Sequence, residues 1–442
     1  MKPSRDKIPP VKGTRDFYPQ DMAIRNFIVD GWKKVSRRNG FEEYDGPIFE
    51  YLKMFQIKSG DEIVEQLFSL TDRGGRDLAL RPEITPTLAR MVNQRINALP
   101  RPIKWFSVPR LFRAERPQKG RLREFFQWNI DIIGEAGTFG KVLADAEVIY
   151  TTVDYLRSIG LTDKDIQVKI SSRELLAAYL KSIGVPEVKL DSIYPVLDKK
   201  TKLPKETFEE LLKELVSDKE IVKKILDFMN IGSMPELEEL VKHKTDINNA
   251  SSEIKMVLEH LDTMEISDFC VYDPSIVRGL AYYTGIVFEV HDVQGELRAI
   301  CGGGRYDNLL KDFGGPAIPA TGMGMGDCVL EILLREKGLL EKQVPKRQLD
   351  YFVVSIGFGA LAKEVHQIIA KLKAKKKSVE FSYKMGRISN QLKEASAKNA
   401  KKCIIIGDEF KDNKLAVKDM ATGEQELVDY DAFLSGLVPH NK

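Results

Sequence analysis

Apolar positions near the start of the chain recur at helical spacing. Ile24, Phe27, Ile28 and Val35 lie three, four and seven residues apart, which predicts a helix between about 14 and 45 with Gly40 as its stop. Pro47 interrupts the short strand that follows and marks it as an edge or bent strand. Between 65 and 135 the runs LFSLTD, DLALRPE, IKWFSVPRLFRAE and EFFQWNIDIIG are strand-like and separated by charged turns, with a helix over Thr87–Ile96; this is the pattern of an antiparallel sheet. VLADAEVIYTTVDYLRSIG reads as an amphipathic helix. The Lys/Glu-rich runs TFEELLKELV, EIVKKILDFM and MPELEELVKHK then read as a helical insertion. Strand signals return at FCVYDPSIV, YYTGIVFEVHD and RAICGGG, followed by a helix at DCVLEILLREKG. Beyond a charged linker, Lys342–Gln348, strands and helices alternate in a βαβ pattern. The predicted fold class is therefore an α+β domain with a mainly antiparallel sheet flanked by helices (residues 1–169 and 263–340), interrupted by a helical insertion domain (170–262). A small C-terminal α/β domain (349–442) completes it.

Composition agrees with three such units. The chain has 442 residues, 43% apolar and 30% charged, which excludes a disordered, collagen-like or membrane-embedded protein. No run reaches the roughly 18 apolar residues of a spanning helix, and the N-terminus carries no secretory pattern. Cys270, Cys301, Cys328 and Cys403 form no C-x-x-C pair, and His243, His260, His291, His366 and His440 share no ligand spacing. The expectation is a reducing cytoplasm and no zinc or other transition metal.

Net charge is only +3, but it is unevenly placed. Residues 371–402 carry 11 Lys/Arg against 2 Asp/Glu, and residues 110–123 carry 6 against 1. A lysine run alone reads as a solvated helix face. Two basic islands in two predicted domains fit one polyanion touching both, largely through phosphates.

Four stretches carry candidate chemistry. In FRAERPQKGRLREFFQWNID (112–131), alternation predicts Arg113 and Glu115 on one face of a first strand, and Phe125, Gln127, Asn129 and Asp131 on one face of a second. A guanidinium on a rigid strand suits bidentate contact to phosphate, while a surface hairpin with cross-strand ion pairs is the plainer reading. In VRGLAYYTGIVFE (277–289), Arg278 beside Tyr282 and Tyr283 reads either as a structural network or as a cation that stabilises a negatively charged transition state, with Gly279 turning the backbone. CGGGRYDNL (301–309) implies close approach of a ligand or strand, or a tight strand-to-helix turn. TGMGMG (321–326) is similar to a dinucleotide fingerprint but has Asp327 at the third glycine position, so a close-packed strand against a flat adenine or a neighbouring strand is preferred.

These segments, in this order, resemble the histidyl-tRNA synthetases, a class II aminoacyl-tRNA synthetase family, across nearly the full chain. KGTRDFYP (12–19) resembles the family's opening, the segment ending at Pro47 its motif 1, residues 112–131 its motif 2, and RGLAYYTG and GGRYD its two histidine signatures; residues 349–442 are similar to its anticodon-binding domain. The resemblance implies ATP-dependent formation of histidyl-adenylate, transfer of the histidyl group to the 3′ end of tRNA(His), and a homodimer. It also implies roles. Arg113 and Arg278 would be catalytic at the α-phosphate. Glu83, Thr85, Gln127, Asp131, Tyr282, Tyr283 and Tyr306 would bind histidine, and Arg113, Glu115, Arg121, Phe125, Gln127 and Arg278 would bind ATP. Arg116, Gln118, Lys119 and Arg123 would form the loop at the tRNA acceptor end. ATP chemistry implies Mg²⁺ alongside the nucleotide. Two positions depart from the family pattern. Ala281 stands where an Asp is common, and Val329 stands near the place of an ATP-binding arginine, with Arg335 about two turns too late. The rival expectation is a non-charging regulatory paralogue of histidine biosynthesis. Such paralogues generally lack the C-terminal domain and the basic motif 2 loop, both present here.

Overall fold

A computed structural model describes residues 8–57, 67–135, 137–200, 203–242, 245–278, 282–355, 362–384 and 386–437. The chain forms two compact units, Met1–Val344 and Pro345–Lys442. None of the described helices is long and apolar enough to cross a membrane.

The first unit opens with helix Pro19–Arg38. It starts later than the periodicity predicted, because Pro19 at the first helical position and Asp21, which accepts a hydrogen bond from the Tyr18 N–H at 3.1 Å, set its N-terminus. Its strands are β1 Glu42–Glu43, β2 Phe49–Tyr51, β3 Ser69–Thr71, β4 Asp77–Leu80, β5 Ile103–Ser107, β6 Arg110–Phe112, β7 Glu124–Ile133, β8 Ile166–Ser172, β9 Cys270–Tyr272, β10 Ile286–Asp292, β11 Cys301–Arg305 and β12 Ala320–Gly326. Nine of them make one sheet in the order β1-β5-β7-β12-β11-β10-β8-β9, with β6 pairing β7, and β2-β4-β3 make a small second sheet. The large sheet is antiparallel except at β1–β5 and β8–β9. Strand β8 runs across the boundary placed at 170, so the helices of that segment begin at Arg173.

One face of the large sheet is covered by helices Pro19–Arg38 and Gly137–Ser158. Trp32, Trp128 and Tyr155 pack together there, with the two indoles stacked 6.3 Å apart and Trp128 Nε1 donating to Ser36 Oγ at 2.8 Å. Helix Gly137–Ser158 is not the amphipathic helix its sequence suggests. Buried residues run almost without break from Val142 to Leu156, because the sheet lies on one side and helix Thr245–Thr263 on another.

In the second unit the strands β13 Leu349–Ser355, β14 Val379–Phe381, β15 Ala400–Ile406, β16 Lys414–Asp419 and β17 Gln425–Asp429 form one mixed sheet, in the order β14-β13-β15-β16-β17. Alternation along β13 sends Tyr351 and Val353 into one core layer with helix Ala362–Ala374. Phe352 and Val354 enter another with helix Ile388–Ala397.

Candidate active site

The other face of β7, β12 and β11 is the floor of a cavity of about 920 Å³. Period-two alternation on β7 turns Phe125, Gln127, Asn129 and Asp131 to the cavity, and Trp128, Ile130 and Ile132 to the core. The glycines of β12 and β11 make room for the side chains above them. A methyl group on Gly322 would stand 2.2 Å from Asp131 Oδ1, and one on Gly302 would stand 2.6 Å from Arg278 Nη1. Met323 and Met325 occupy the opposite, core face. The Gly/Met alternation is thus one strand with two faces. The Gly302–Gly304 run is strand throughout, not a strand-to-helix turn.

At one end of the cavity Asp131 is 3% exposed and accepts a short hydrogen bond from the Tyr306 hydroxyl. Its Oδ2 has no hydrogen-bond partner among the described residues. Burial pushes the Asp131 pKa up to about 7, against the opposing hydrogen bond from Tyr306. Tyr282 meets Tyr283 and Tyr306 at ring distances of 5.0 and 5.8 Å and donates to Glu83 Oε2 at 3.3 Å. Glu83 and Thr85 lie where the chain enters helix Thr85–Gln94. Arg81, 2% exposed, fixes that entry by donating to Asp45 Oδ1 at 2.7 Å and to the carbonyls of Gly46 and Arg110.

Two half-buried guanidiniums line the same cavity. Arg113 lies just beyond β6, so it and Glu115 are not on a strand as expected. Its guanidinium stands over the Phe125 ring at 5.2 Å, and Nε donates to the Pro82 carbonyl at 3.2 Å. Arg278 adopts a left-handed backbone, φ +63°, at a cost of about 1–2 kcal/mol for a residue with a Cβ. Glu289 on β10 forms an ion pair with it, and His291 Nε2 lies 2.9 Å from the other Glu289 oxygen. Burial alone would raise the Glu289 pKa, but Arg278 and His291 bring it down to about 2. Glu289 in turn keeps the Arg278 pKa above its usual value despite burial. From the helical segment, Arg173 donates to the carbonyls of Val277 and Arg278 at 3.2 and 3.1 Å, and its guanidinium stacks on Tyr194 at 3.7 Å.

The basic loop over the cavity is a tight hairpin. Gln118 and Arg121 exchange backbone hydrogen bonds at 3.0 and 2.9 Å around Gly120 at φ +75°. Arg121 forms an ion pair with buried Glu115. Arg116, Gln118 and Lys119 are exposed, with Lys119 3.2 Å from Glu336. Arg123 turns inward and donates to the Glu115 carbonyl at 3.1 Å.

All of the expected histidine and ATP residues line this one cavity: Glu83, Thr85, Arg113, Glu115, Arg121, Phe125, Gln127, Asp131, Arg278, Tyr282, Tyr283 and Tyr306. The loop residues Arg116, Gln118, Lys119 and Arg123 do not. Gly279, Ala281, His243 and His440 lie outside the described residues. Arg81, Arg173, Glu289, His291 and Arg298 carry no site expectation from the sequence. For Glu289 and His291 a signal exists, since they are polar positions two apart in a strand whose other residues up to Val290 are apolar.

Comparison with known proteins adds to this geometry. The histidyl-tRNA synthetase family model matches residues 13–326, and an anticodon binding domain model matches residues 350–439. A chloroplastic/mitochondrial histidine–tRNA ligase of Arabidopsis thaliana is 38% identical over 426 residues, covering 95% of this chain and 84% of that protein. A histidine–tRNA ligase of Opitutus terrae is 39% identical over 414 residues, 93% of each chain. The crystal structure of histidyl-tRNA synthetase from Nostoc sp. PCC 7120 superposes with a TM-score of 0.80 over 98% of this chain and 99% of that one; its 24% identity makes this a likeness of fold.

Proposed function

Since the chain belongs to the histidyl-tRNA synthetase family, we propose that this cavity activates histidine with ATP and that the histidyl group then passes to tRNA(His). The protein is an enzyme, a histidine–tRNA ligase that forms AMP. In the first step a carboxylate oxygen of histidine attacks the α-phosphorus, the bond to the bridging oxygen breaks, and pyrophosphate leaves. In the second a hydroxyl of the terminal ribose attacks the acyl carbon and AMP leaves.

The observation that carries the assignment of residues is the buried Asp131, with one oxygen taken by Tyr306 and the other open, in the same cavity as Arg113 and Arg278. An imidazole needs a partner for each nitrogen, and Asp131 and Tyr283 supply an acceptor and a hydroxyl. Tyr282 and Tyr306 wall the pocket, and Glu83, Thr85 and Gln127 hold the α-amino group. Arg113 and Arg278 stabilise charge that develops on the α-phosphoryl oxygens, where fixed cations in a water-poor site act most strongly. Phe125 holds Arg113 in place by stacking, Glu115 orients Arg121, and Arg121 reaches the outer phosphates. The loop carrying Arg116, Gln118, Lys119 and Arg123 meets the acceptor end, and the basic surface at 371–402 meets the anticodon arm.

Among the described residues no group of three acidic, histidine or cysteine side chains could hold a metal ion. The cavity carboxylates Glu115 and Glu289 are engaged by Arg121 and Arg278. Mg²⁺ belongs to this reading as a companion of ATP. A homodimer also belongs to it, supported by the exposed Ile48, Phe49, Tyr51 and Leu70 on and beside the small sheet. A cytoplasmic setting is supported by four unpaired cysteines.

Histidine-dependent ATP–pyrophosphate exchange, followed by charging of tRNA(His), tests the reading. No exchange from a folded protein that still binds histidine sinks the enzymatic reading and favours the regulatory paralogue.

A further inference from the structure

The outer phosphates of ATP need cations, and the cations around this cavity are unevenly committed. Arg278 is held by Glu289, and Arg121 by Glu115. Arg298, on the connection between β10 and β11, lines the same cavity and has no carboxylate within ion-pair distance among the described residues. Arg298 is exposed at the cavity's edge; partial desolvation and the nearby charge of Arg121 lower its pKa, and Glu115 opposes them. Two like charges held near each other in a cleft are a standing cost that an anion between them removes.

Val329 sits in the first turn of helix Asp327–Glu336, beneath the tip of the basic loop. A methyl group on Gly120 would come within 3.0 Å of Val329 Cγ2, so the loop closes on the valine and leaves little room for a long side chain there. Arg335, farther along the helix, is turned to Glu331 at 2.8 Å. That helix therefore offers no cation to the triphosphate end, and the β10–β11 connection does.

We propose that Arg298 and Arg121 together bind the β- and γ-phosphates of ATP and hold pyrophosphate as it leaves, with Arg298 serving where the helix carries Val329. This rests on the reading of the cavity as the ATP site. Arg298 is a binding residue for the departing half of the nucleotide and touches nothing that remains in histidyl-adenylate.

The full-length enzyme with Arg298→Ala or Arg298→Lys tests it. In ATP–pyrophosphate exchange, Arg298→Ala raises the KM for ATP and for pyrophosphate by roughly tenfold to a hundredfold, the scale of a lost charge-assisted contact. The KM for histidine stays within about twofold. Arg298→Lys, which keeps the charge and loses the bidentate fork, falls between. Single-turnover transfer from preformed histidyl-adenylate to tRNA keeps its rate, because the adenylate carries neither outer phosphate. Unchanged KM values for ATP and pyrophosphate in Arg298→Ala would overturn the proposal. So would a parallel loss of histidine affinity and transfer, which marks a structural role. Failure of the wild-type enzyme to exchange at all would overturn the active-site reading beneath it.

Discussion

Gly322 lies directly across the β7–β12 pairing from Asp131, and a methyl group added to it would stand 2.2 Å from Asp131 Oδ1. The carboxylate occupies the space a side chain at 322 would take. Gly322→Ala is therefore expected to push Asp131 out of place or to part the two strands, a crowding cost of about 1–3 kcal/mol. The KM for histidine in pyrophosphate exchange should rise at least tenfold. Met325→Leu, on the opposite, core face of the same strand, is the control and should leave it within about twofold. An unaltered histidine KM in Gly322→Ala would show that the close approach does not hold Asp131.

The raised pKa of Asp131 gives a pH signature. Its folded pKa is about 7 and its unfolded value is the ordinary carboxylate one. The folded protein therefore binds the extra proton between about pH 4 and pH 7 and loses stability as pH rises through that window. Asp131→Asn removes the ionisation. It should raise the thermal midpoint of the ligand-free protein at pH 8 and bring no gain near pH 4. Histidine binding should run the other way. The wild-type KM for histidine rises as pH falls below about 7, since the ionised carboxylate is the acceptor for an imidazole N–H, and Asp131→Asn flattens that dependence. A histidine KM in Asp131→Asn that still follows pH as in the wild type would remove Asp131 from the imidazole site.

What sequence reading found and missed follows from the range of each interaction. The alternation Phe125, Gln127, Asn129, Asp131 was legible because a strand imposes period two on neighbours, and the chain needs no other segment to reveal it. The glycines of β12 showed close packing, but not that Asp131 was what they made room for, because register is a property of two strands. Arg173 acts on backbone carbonyls at Val277 and Arg278, and a carbonyl leaves no mark in the sequence. The burial of helix Gly137–Ser158 on more than one side is not legible locally, because its second covering layer, helix Thr245–Thr263, lies far along the chain.

The Arg278–Glu289 pair separates stability from catalysis. Arg278→Ala leaves the half-buried Glu289 carboxylate with His291 as its remaining partner, a loss of about 1–3 kcal/mol. Glu289 has a folded pKa of about 2, so its ionised form adds stability above the ordinary carboxylate pKa, and that is lost as pH falls toward 2. The penalty of Arg278→Ala should therefore shrink in acid. Adding Glu289→Gln to Arg278→Ala should recover most of the thermal midpoint, yet leave adenylate formation about a hundredfold or more below wild type with histidine affinity nearly intact. Equal losses of histidine binding and adenylate formation in the double variant would remove the transition-state role of Arg278.

The basic surface of the second unit divides into held and free lysines. Lys398 is paired with Glu380, and Lys401 lies 3.1 Å from Asp350. Lys373, Lys376, Lys384, Arg387 and Lys393 are exposed, with no carboxylate partner in ion-pair range among the described residues. Contacts to tRNA phosphates release counterions, so each one adds roughly 0.7–0.9 to the slope of log affinity against log salt. Replacing Lys376, Lys384 and Lys393 together by glutamine should weaken tRNA binding and lower that slope by about 2, while histidine-dependent pyrophosphate exchange keeps its wild-type rate. Lys401→Gln, which removes a cation already satisfied by Asp350, should change the slope by less than one contact. A triple variant with the wild-type salt slope would place the tRNA elsewhere, and one that also lost exchange would show that the substitutions act through the fold and not through phosphate contacts.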